Sequence, residues 1–244
     1  MSRETEIPAK GNDPQAQHPG RMLPSGGAVT AIALILFLLT GIIHALAGSA
    51  AVMEAEMRRF APPDRSGLPE AEYPAMAAHI ADYLAGRKDD FQYTVQGEQG
   101  ERIPCFHDYE LAHMADCRSL IRVDGLICGI CLAAALAGGI LILKSGRAGL
   151  REALRGARGA LWGLSMLTAV LVLWAVADFD GLFLTFHRLA FRNDLWLLNP
   201  RTDLLIRLMP EDLFIDLGLK GLAAFVPGLA LLLIAMFILT RRNQ

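Results

Sequence analysis

Two histidines, His113 and His187, have the types and positions best suited to chemistry in this 244-residue sequence. Imidazole has an ordinary pKa of about 6.5, so it can accept and return a proton at neutral pH. A stripe at helical spacing accompanies His113: Glu110, Met114, Cys117, Ile121 and Asp124. Because a polar stripe is costly against lipid, we expect this face to point into a helix bundle or a wet cavity.

His187 lies in an aromatic segment that is too apolar for a solvated loop. Asp180 and Asp194 are each seven residues away and would share its face in a helix. Trp196 and the neighbouring phenylalanines suit the lipid headgroup region, where one end of an aromatic ring is apolar and the other is wet. A single interfacial histidine is often only a hydrogen-bonded surface residue, but two histidines with nearby carboxylates favour a site.

Four apolar segments must position these residues. The sequence is 53% hydrophobic with a mean hydropathy of +0.36, and a membrane helix needs about 20 apolar residues. The segments that meet this length are 28–52, 123–143, 160–177 and 217–240. The sequence therefore predicts an all-α membrane protein with four transmembrane helices.

Basic residues in short flanks predict the orientation of the four spans, because they favour the cytoplasmic side. The 144–159 connection and the C-terminus carry most of them: Lys144, Arg147, Arg151, Arg155, Arg158, Arg241 and Arg242. Both ends are therefore expected in the cytoplasm, with residues 1–27 as a disordered tail and the domain at 28–244. Ala45-Leu46-Ala47 resembles a signal-peptide cleavage site, but the length of the apolar run favours a retained span.

The two outward-facing connections have different predicted structures. Residues 53–120 suit a small α/β cap, with a helix at 75–85, a stop at Gly86 and a hairpin from 91–95 and 102–106. We expect His79 at the surface of that helix, and Asp108 as the cap of a helix that enters the second span. Residues 178–213 suit an interfacial helix at the membrane surface.

Three motifs then carry a resemblance to a known family. They are Glu110-Leu-Ala-His113-Met-Ala-Asp116-Cys-Arg118, Phe186-His187-Arg188-Leu-Ala-Phe191-Arg192-Asn193-Asp-Leu-Trp196 and Asp203-Leu-Leu-Ile-Arg-Leu-Met-Pro210-Glu-Asp-Leu-Phe214. With four spans and a cap after the first, residues 28–240 resemble the bacterial lipoprotein intramolecular transacylase and its wider family. The family's usual aliphatic residue and lysine are replaced here by Cys117 and Arg118. The arginine keeps the positive charge of the lysine but presents it with a different geometry.

The resemblance implies an acyltransferase of the bacterial inner membrane that acts on diacylated lipoproteins among membrane lipids, without cofactor, metal or nucleic acid. An acyl chain would leave the sn-2 oxygen of the diacylglyceryl group on the N-terminal cysteine. It would arrive on the α-amine of the same cysteine and leave a lyso-form lipoprotein.

The resemblance also implies roles for the residues of the motifs. His113 would be the general base, oriented by Glu110 or Asp116, and His187 the acid or oxyanion donor, although the two roles could be exchanged. Arg118, Arg188 or Arg192 could stabilise the oxyanion, and Cys117 would be the candidate if a nucleophile were needed.

Two other functions remain open from the sequence. Glu110 and His113 have the spacing of a helical metal pair, so a metal-dependent membrane lipid hydrolase could use them together with His187. The cap and the polar stripe could instead bind a lipid or lipoprotein without catalysis, as an accessory protein does. The sequence contains no P-loop, dinucleotide or Gly-x-Ser-x-Gly motif.

Overall fold

The first helix crosses the predicted membrane region and stops at a short break. The protein is described by a computed structural model that covers residues 24–97 and 99–242, so residues 1–23 of the predicted tail lie outside the described part. Helix α1 spans Pro24–Ala47 and ends five residues before the predicted boundary at 52. It ends early because a second helix, α2 at Ala50–Phe60, begins there. Ser49 caps α2 by accepting a hydrogen bond from the Val52 N–H at 3.3 Å.

The cap continues with short helices around a compact apolar core. Helix α3 spans Pro63–Ser66, a 3-10 turn spans Glu70–Glu72, and helix α4 spans Tyr73–Leu84. The predicted helix at 75–85 is therefore confirmed. Gly86 follows it with a φ of 75°, a left-handed conformation that glycine adopts without strain.

His79 on α4 is buried, and the prediction that it lies at the surface is wrong. Its Nε2 atom lies 2.8 Å from the backbone oxygen of Phe91, and the ring contacts the rings of Phe91 and Tyr93. The periodicity of α4 does not reveal these partners, because they belong to the segment that folds back over the helix.

A two-stranded hairpin completes the cap. Strands β1, Thr94–Gln96, and β2, Arg102–Pro104, pair antiparallel with Val95 opposite Ile103. Strand β2 ends at Pro104. One further hydrogen bond joins the two segments beyond it, from the Cys105 N–H to the oxygen of Tyr93 at 2.9 Å. The predicted hairpin is therefore present, although each strand is shorter than expected.

The longest helix carries His113 from the cap into the membrane. Helix α5 spans Asp108–Lys144, and its 37 residues make it about 55 Å long. The hydrocarbon core is only ~30 Å thick, so about the first two fifths of α5, before the apolar segment at 123–143, stands outside it. His107 is the capping residue in place of the predicted Asp108, and its N–H donates to Glu110 Oε2 at 2.7 Å.

The predicted basic connection at 144–159 is helical. Helix α6 spans Gly146–Ala177 and follows α5 after Ser145 alone, with Gly146 at a φ of 68°. Gly149 and Ala153, one turn apart, are buried, and the backbone of Ala153 lies directly against Gly27 of α1. These small residues, spaced four apart, therefore let the first half of α6 pack closely on α1. The four arginines in that half of α6 are exposed.

The second outward connection contains a longer helix and a short helix, joined by an irregular segment. Helix α7 spans Phe179–Ala190 and is capped by Asp178, whose carboxylate accepts a hydrogen bond from the Gly181 N–H at 2.9 Å. The 191–203 connection follows, then the short helix α8, Leu204–Leu208, and the fourth long helix α9, Glu211–Arg242. α9 contains the predicted span at 217–240.

The described residues form a mainly helical protein with a single small sheet. Four helices, α1, α5, α6 and α9, are long and apolar enough to cross a membrane, and their outer faces expose large side chains such as Leu143 and Val176. The predicted fold class is confirmed. The cap and the outer ends of α5, α7 and α9 lie together, and the two histidines meet there.

Candidate active site

The structure brings His113 and His187 together from two different helices. His113 lies in the second turn of α5 and His187 in the last turn of α7, with their ring centroids 6.3 Å apart. Both are buried, with 7% and 8% of their surfaces exposed. The 6.3 Å centroid separation leaves the rings close but not stacked, so one reacting group could be reached from both.

Aromatic side chains surround the histidine pair. The ring of Phe183 lies 4.2 Å from that of His187, and the Trp196 ring lies 5.1 Å from it on another side. Phe191 contacts both histidines, at 5.1 Å from His113 and 5.5 Å from His187. We call Phe183, Phe186, Phe191 and Trp196 the aromatic cage. These rings give the histidine pair a largely apolar surrounding.

The tautomer of His187 is set by its own helix. Its Nδ1 atom lies 2.8 Å from the backbone oxygen of Phe183, one turn earlier in α7. A carbonyl oxygen only accepts hydrogen bonds, so Nδ1 carries the proton and Nε2 keeps its lone pair. Burial lowers the pKa of His187, and the bond to Phe183 opposes that effect only in part. His187 is therefore neutral at pH 7 and has a free basic nitrogen.

His113 has one partnered nitrogen and one that is open. Its Nε2 atom lies 3.6 Å from the Cys117 Sγ, and its buried Nδ1 has no hydrogen-bond partner among the described residues. Burial, together with the proximity of His187, lowers the pKa of His113 to about 4, although Asp116 opposes the shift. Buried polar atoms are normally satisfied, so an open nitrogen in a site marks a place for a ligand.

Cys117 keeps its proton beside His113. Burial raises the pKa of its thiol to about 12, so the thiolate needed for nucleophilic attack is not formed at neutral pH. A thiol that retains its proton can donate to Nε2 of His113, and the ring proton of His113 then sits on the open Nδ1.

Glu110 lies one turn before His113, but its carboxylate is directed elsewhere. It is fully buried, and its two oxygens accept hydrogen bonds from the backbone N–H groups of His107 at 2.7 Å and Leu205 at 2.8 Å. The expected orienting bond from Glu110 to His113 is therefore replaced by bonds to two backbone groups. The same bonds argue against Glu110 and His113 as a metal pair, and among the described residues no three potential ligands are placed so that they could hold a metal ion.

Asp116 acts on His113 through its charge and is tied to the opposite side of the site. Its Oδ2 accepts a hydrogen bond from the Asn193 side chain at 2.8 Å. The backbone oxygen of Asn193 in turn accepts the indole N–H of Trp196 at 2.9 Å. Asn193 was not singled out from the sequence as a site residue. Only its position between Phe191 and Trp196 in the aromatic motif could have suggested it.

Of the three arginines that could stabilise an oxyanion, one is bound elsewhere and two are exposed. Arg118 donates to Asp89 at 2.8 Å and lies over the Tyr83 ring at 4.8 Å, so it fastens the cap to α5. Arg188 and Arg192 are exposed. The open Nδ1 atom of His113, which is buried inside the site, is therefore a better-placed candidate for an oxyanion donor than these arginines.

Of the two carboxylates predicted on the helical face of His187, Asp180 lies there and Asp194 does not. Asp180 lies two turns from His187 on α7 and is paired with Glu211. Burial, and then the bond to Asp180, raise the pKa of Glu211 to about 7. Asp194 does not share the helical face of His187, because α7 ends at Ala190.

Comparisons with known proteins identify the family and the fold. The family model of the lipoprotein intramolecular transacylase Lit matches residues 28–214. No curated protein matches the chain at a significant level. A solved in meso structure of the membrane-integral lipoprotein intramolecular transacylase from Bacillus cereus is similar, at 18% identity and a TM-score of 0.71, covering 90% of this chain and 96% of that one.

Two further solved structures of the Bacillus cereus protein, with a histidine replaced by arginine or by alanine, also match. Their TM-scores are 0.67 and 0.65, their identities are 18% and 17%, and each covers 90% of this chain. They cover 92% and 94% of the Bacillus cereus chains. At these identities the structural likeness establishes the fold.

Proposed function

Because the chain belongs to the lipoprotein intramolecular transacylase family and is a multi-pass membrane acyltransferase, we propose that it moves an acyl chain from a glyceryl oxygen to an amine. The acyl chain leaves the sn-2 ester of the diacylglyceryl group on a lipoprotein's N-terminal cysteine. It arrives on the α-amine of that cysteine. The observation that carries this proposal is the buried histidine pair, 6.3 Å apart, inside an aromatic cage.

The reaction balances without a further reactant. The amine nitrogen attacks the ester carbonyl carbon, the bond between that carbon and the sn-2 oxygen breaks, and an amide forms. One proton leaves the nitrogen and one reaches the departing oxygen. Conversion of an ester to an amide is downhill, so the chemistry needs neither a nucleotide nor a redox cofactor.

We assign the proton transfer to His187. Its Nε2 has a lone pair because Nδ1 donates to Phe183, and the lowered pKa keeps it unprotonated before the reaction. It accepts the proton of the attacking amine and returns it to the sn-2 oxygen. Such general acid–base catalysis contributes about 10²–10⁴ in rate. This assignment exchanges the roles that the sequence suggested for the two histidines.

His113 then stabilises the tetrahedral oxyanion. With Cys117 donating to Nε2, the proton on Nδ1 is free to donate to the oxyanion. A neutral imidazole can fill this role because it does not need to be charged to donate a hydrogen bond. Removing one such donor typically costs about 10²–10³ in rate.

The aromatic cage addresses the main difficulty of the reaction. Attack within one lipoprotein closes an eight-membered ring, and rings of that size form slowly because the chain must fold back on itself. Rigid walls on several sides of the histidines can hold the lipid folded, and positioning of this kind supplies up to about 7–11 kcal/mol in ideal cases. The cage also keeps water away from the ester, which disfavours hydrolysis.

The distribution of basic residues supports an orientation. We place the chain in the bacterial cytoplasmic membrane with both ends in the cytoplasm, and with the cap and the histidine pair facing outward. The substrate would reach the site laterally from the surrounding lipid, and the polypeptide of the lipoprotein would extend away from the outer surface.

Mass spectrometry of a lipoprotein's N-terminal peptide tests the function. We expect N-acyl, S-monoacylglyceryl cysteine in cells with the intact chain, and its absence without the chain or with the double variant His113→Ala, His187→Ala. If the N-terminus is the same in all three, the transacylase assignment is wrong. If fatty acid is released without an N-acyl product, the chain is a lipid hydrolase, and sensitivity to chelators would point to a metal.

A further inference from the structure

Two buried carboxylates outside the histidine pair, Glu110 and Asp203, form a reciprocal clasp between α5 and the start of α8. Glu110 on α5 accepts the backbone N–H of Leu205 in α8 at 2.8 Å. In the other direction, Tyr109 on α5 donates its hydroxyl to Asp203, the capping residue of α8, at 2.6 Å. Glu110 is 0% exposed and Asp203 is 2% exposed.

The two carboxylates of the clasp accept their hydrogen bonds from uncharged N–H and O–H groups. Asp203 also accepts from the Thr202 hydroxyl at 2.6 Å and the Asn199 N–H at 2.7 Å. Burial opposes its ionisation, but the bonds from Thr202, Tyr109 and Asn199 hold its pKa below the ordinary value. A buried carboxylate with several N–H and O–H donors has a well-defined geometry, and removal of one partner leaves an unsatisfied buried group.

The clasp fixes the far end of the connection that carries Trp196. The 191–203 connection leaves α7 at Phe191, beside both histidines, and the Asn193 bond to Asp116 fastens its near end to α5. Asn199 and Asp203 lie in the clasp at its far end. Trp196 lies between these two attachments, with its ring 5.1 Å from that of His187.

We infer that Glu110 and Asp203 are positioning residues for acyl transfer, which act by holding Trp196 against His187. This inference rests on the proposed function for its kinetic test but not for its structural one. The Glu110 carboxylate does not act on the reacting atoms directly, because both of its oxygens accept hydrogen bonds from backbone N–H groups. It acts on the site through the connection, by setting the wall that faces the catalytic imidazole.

The test uses the full-length chain, purified in lipid nanodiscs, with a diacylated lipopeptide as substrate. In Glu110→Gln the amide has a single acceptor oxygen, so the N–H of His107 or of Leu205 loses its partner. We expect kcat to fall about 10- to 100-fold, because a displacement of about 1 Å can cost that much, while KM changes less than about threefold. Glu70→Gln, which removes an exposed carboxylate paired with Arg58, is the matched control and should match the parent chain.

A spectroscopic readout separates positioning from a general loss of structure. In the background Trp162→Phe, Trp174→Phe, the remaining emission comes from Trp196. Protonation of His187 in contact with the indole quenches that emission, so emission should fall as the pH falls through the pKa of His187. In Glu110→Gln this fall should be at least threefold smaller. Tyr109→Phe removes a single bond of the clasp and should show the same effects to a smaller extent, and it decides the question if Glu110→Gln does not fold.

Each result bears on the inference. It is overturned if both clasp variants keep the parent kcat, or if kcat falls while the pH response of Trp196 is unchanged. If the unmodified chain forms no N-acyl product, the proposed function fails, and the Trp196 response still decides whether the clasp holds that ring against His187.

Discussion

The Sγ atom of Cys117 lies 3.6 Å from the Nε2 atom of His113, one turn earlier on the same helix. Because the pKa of the thiol is raised to about 12, it acts on His113 as a hydrogen-bond donor. We expect Cys117→Ser to keep activity within about threefold, and Cys117→Ala to lose about three- to tenfold, the range for one hydrogen bond. Initial rates of N-acylation measure this. Loss of all activity in both variants, together with an acyl thioester trapped on Cys117 of the parent chain, would instead make Cys117 the nucleophile.

The depressed pKa of His113 predicts how stability depends on pH. Its folded value of about 4 lies below the ordinary value of 6.5, because burial and His187 outweigh the opposing charge of Asp116. Between these two pH values the unfolded chain therefore binds more protons than the folded chain. The contribution of His113 to the free energy of unfolding is fully present above pH 6.5 and is lost as the pH falls toward 4. The thermal midpoint in nanodiscs between pH 7.5 and 4.5 should fall more steeply in the parent chain than in His113→Gln.

The difference between parent and variant isolates His113 from other titrating groups. Glu211, with its pKa raised to about 7, contributes in the opposite direction over part of this range. That contribution is common to both proteins and cancels in the difference. Parallel pH profiles for the two proteins would show that His113 is not held neutral by burial.

The ring of Trp196 against His187 predicts a graded response to substitution. Trp196→Phe keeps an aromatic face but loses the indole N–H bond to Asn193, whereas Trp196→Leu removes the ring contact as well. One hydrogen bond contributes about 0.5–1.5 kcal/mol, so we expect kcat to fall about two- to tenfold in Trp196→Phe. It should fall further in Trp196→Leu, where the aromatic contact is also lost. Trp162→Phe, on the exposed face of α6, is the control, and equal rates for all three variants would remove Trp196 from the site.

The bond between Asp116 and Asn193 can be tested by exchange. Asn193→Asp places two carboxylates together and should lower kcat about tenfold. The exchange Asp116→Asn, Asn193→Asp restores a hydrogen bond with the donor on the other side, so its rate should recover to within about threefold of Asp116→Asn alone. Rates of the three variants under one condition make the comparison. Failure of the exchange to recover would show that the carboxylate at position 193 lowers the rate by itself and that the bond between positions 116 and 193 does not determine it.

Local patterns in the sequence were sufficient for the architecture. The apolar runs, the stop at Gly86 and the alternation around Val95 predicted four long helices, a cap helix and a hairpin, and the structure contains all of them. These patterns succeed because helical period, strand alternation and hydropathy act over a few neighbouring residues. The stripe through His113 likewise predicted that this face of α5 points inward, since each exposed polar group in lipid is costly.

Hydrogen-bond partners that lie far apart in the sequence became evident only from the tertiary structure. Glu110 was expected to orient His113 but is bound to Leu205, Arg118 is bound to Asp89, and His79 is buried under Phe91. Each of these side chains takes its partner from another element, and the spacing within one helix carries no information about that element. The sequence by itself therefore determined the membrane helices and the two histidines as candidates. The tertiary structure decided which buried groups satisfy one another, because a buried hydrogen bond depends on positions in space and not on distance along the chain.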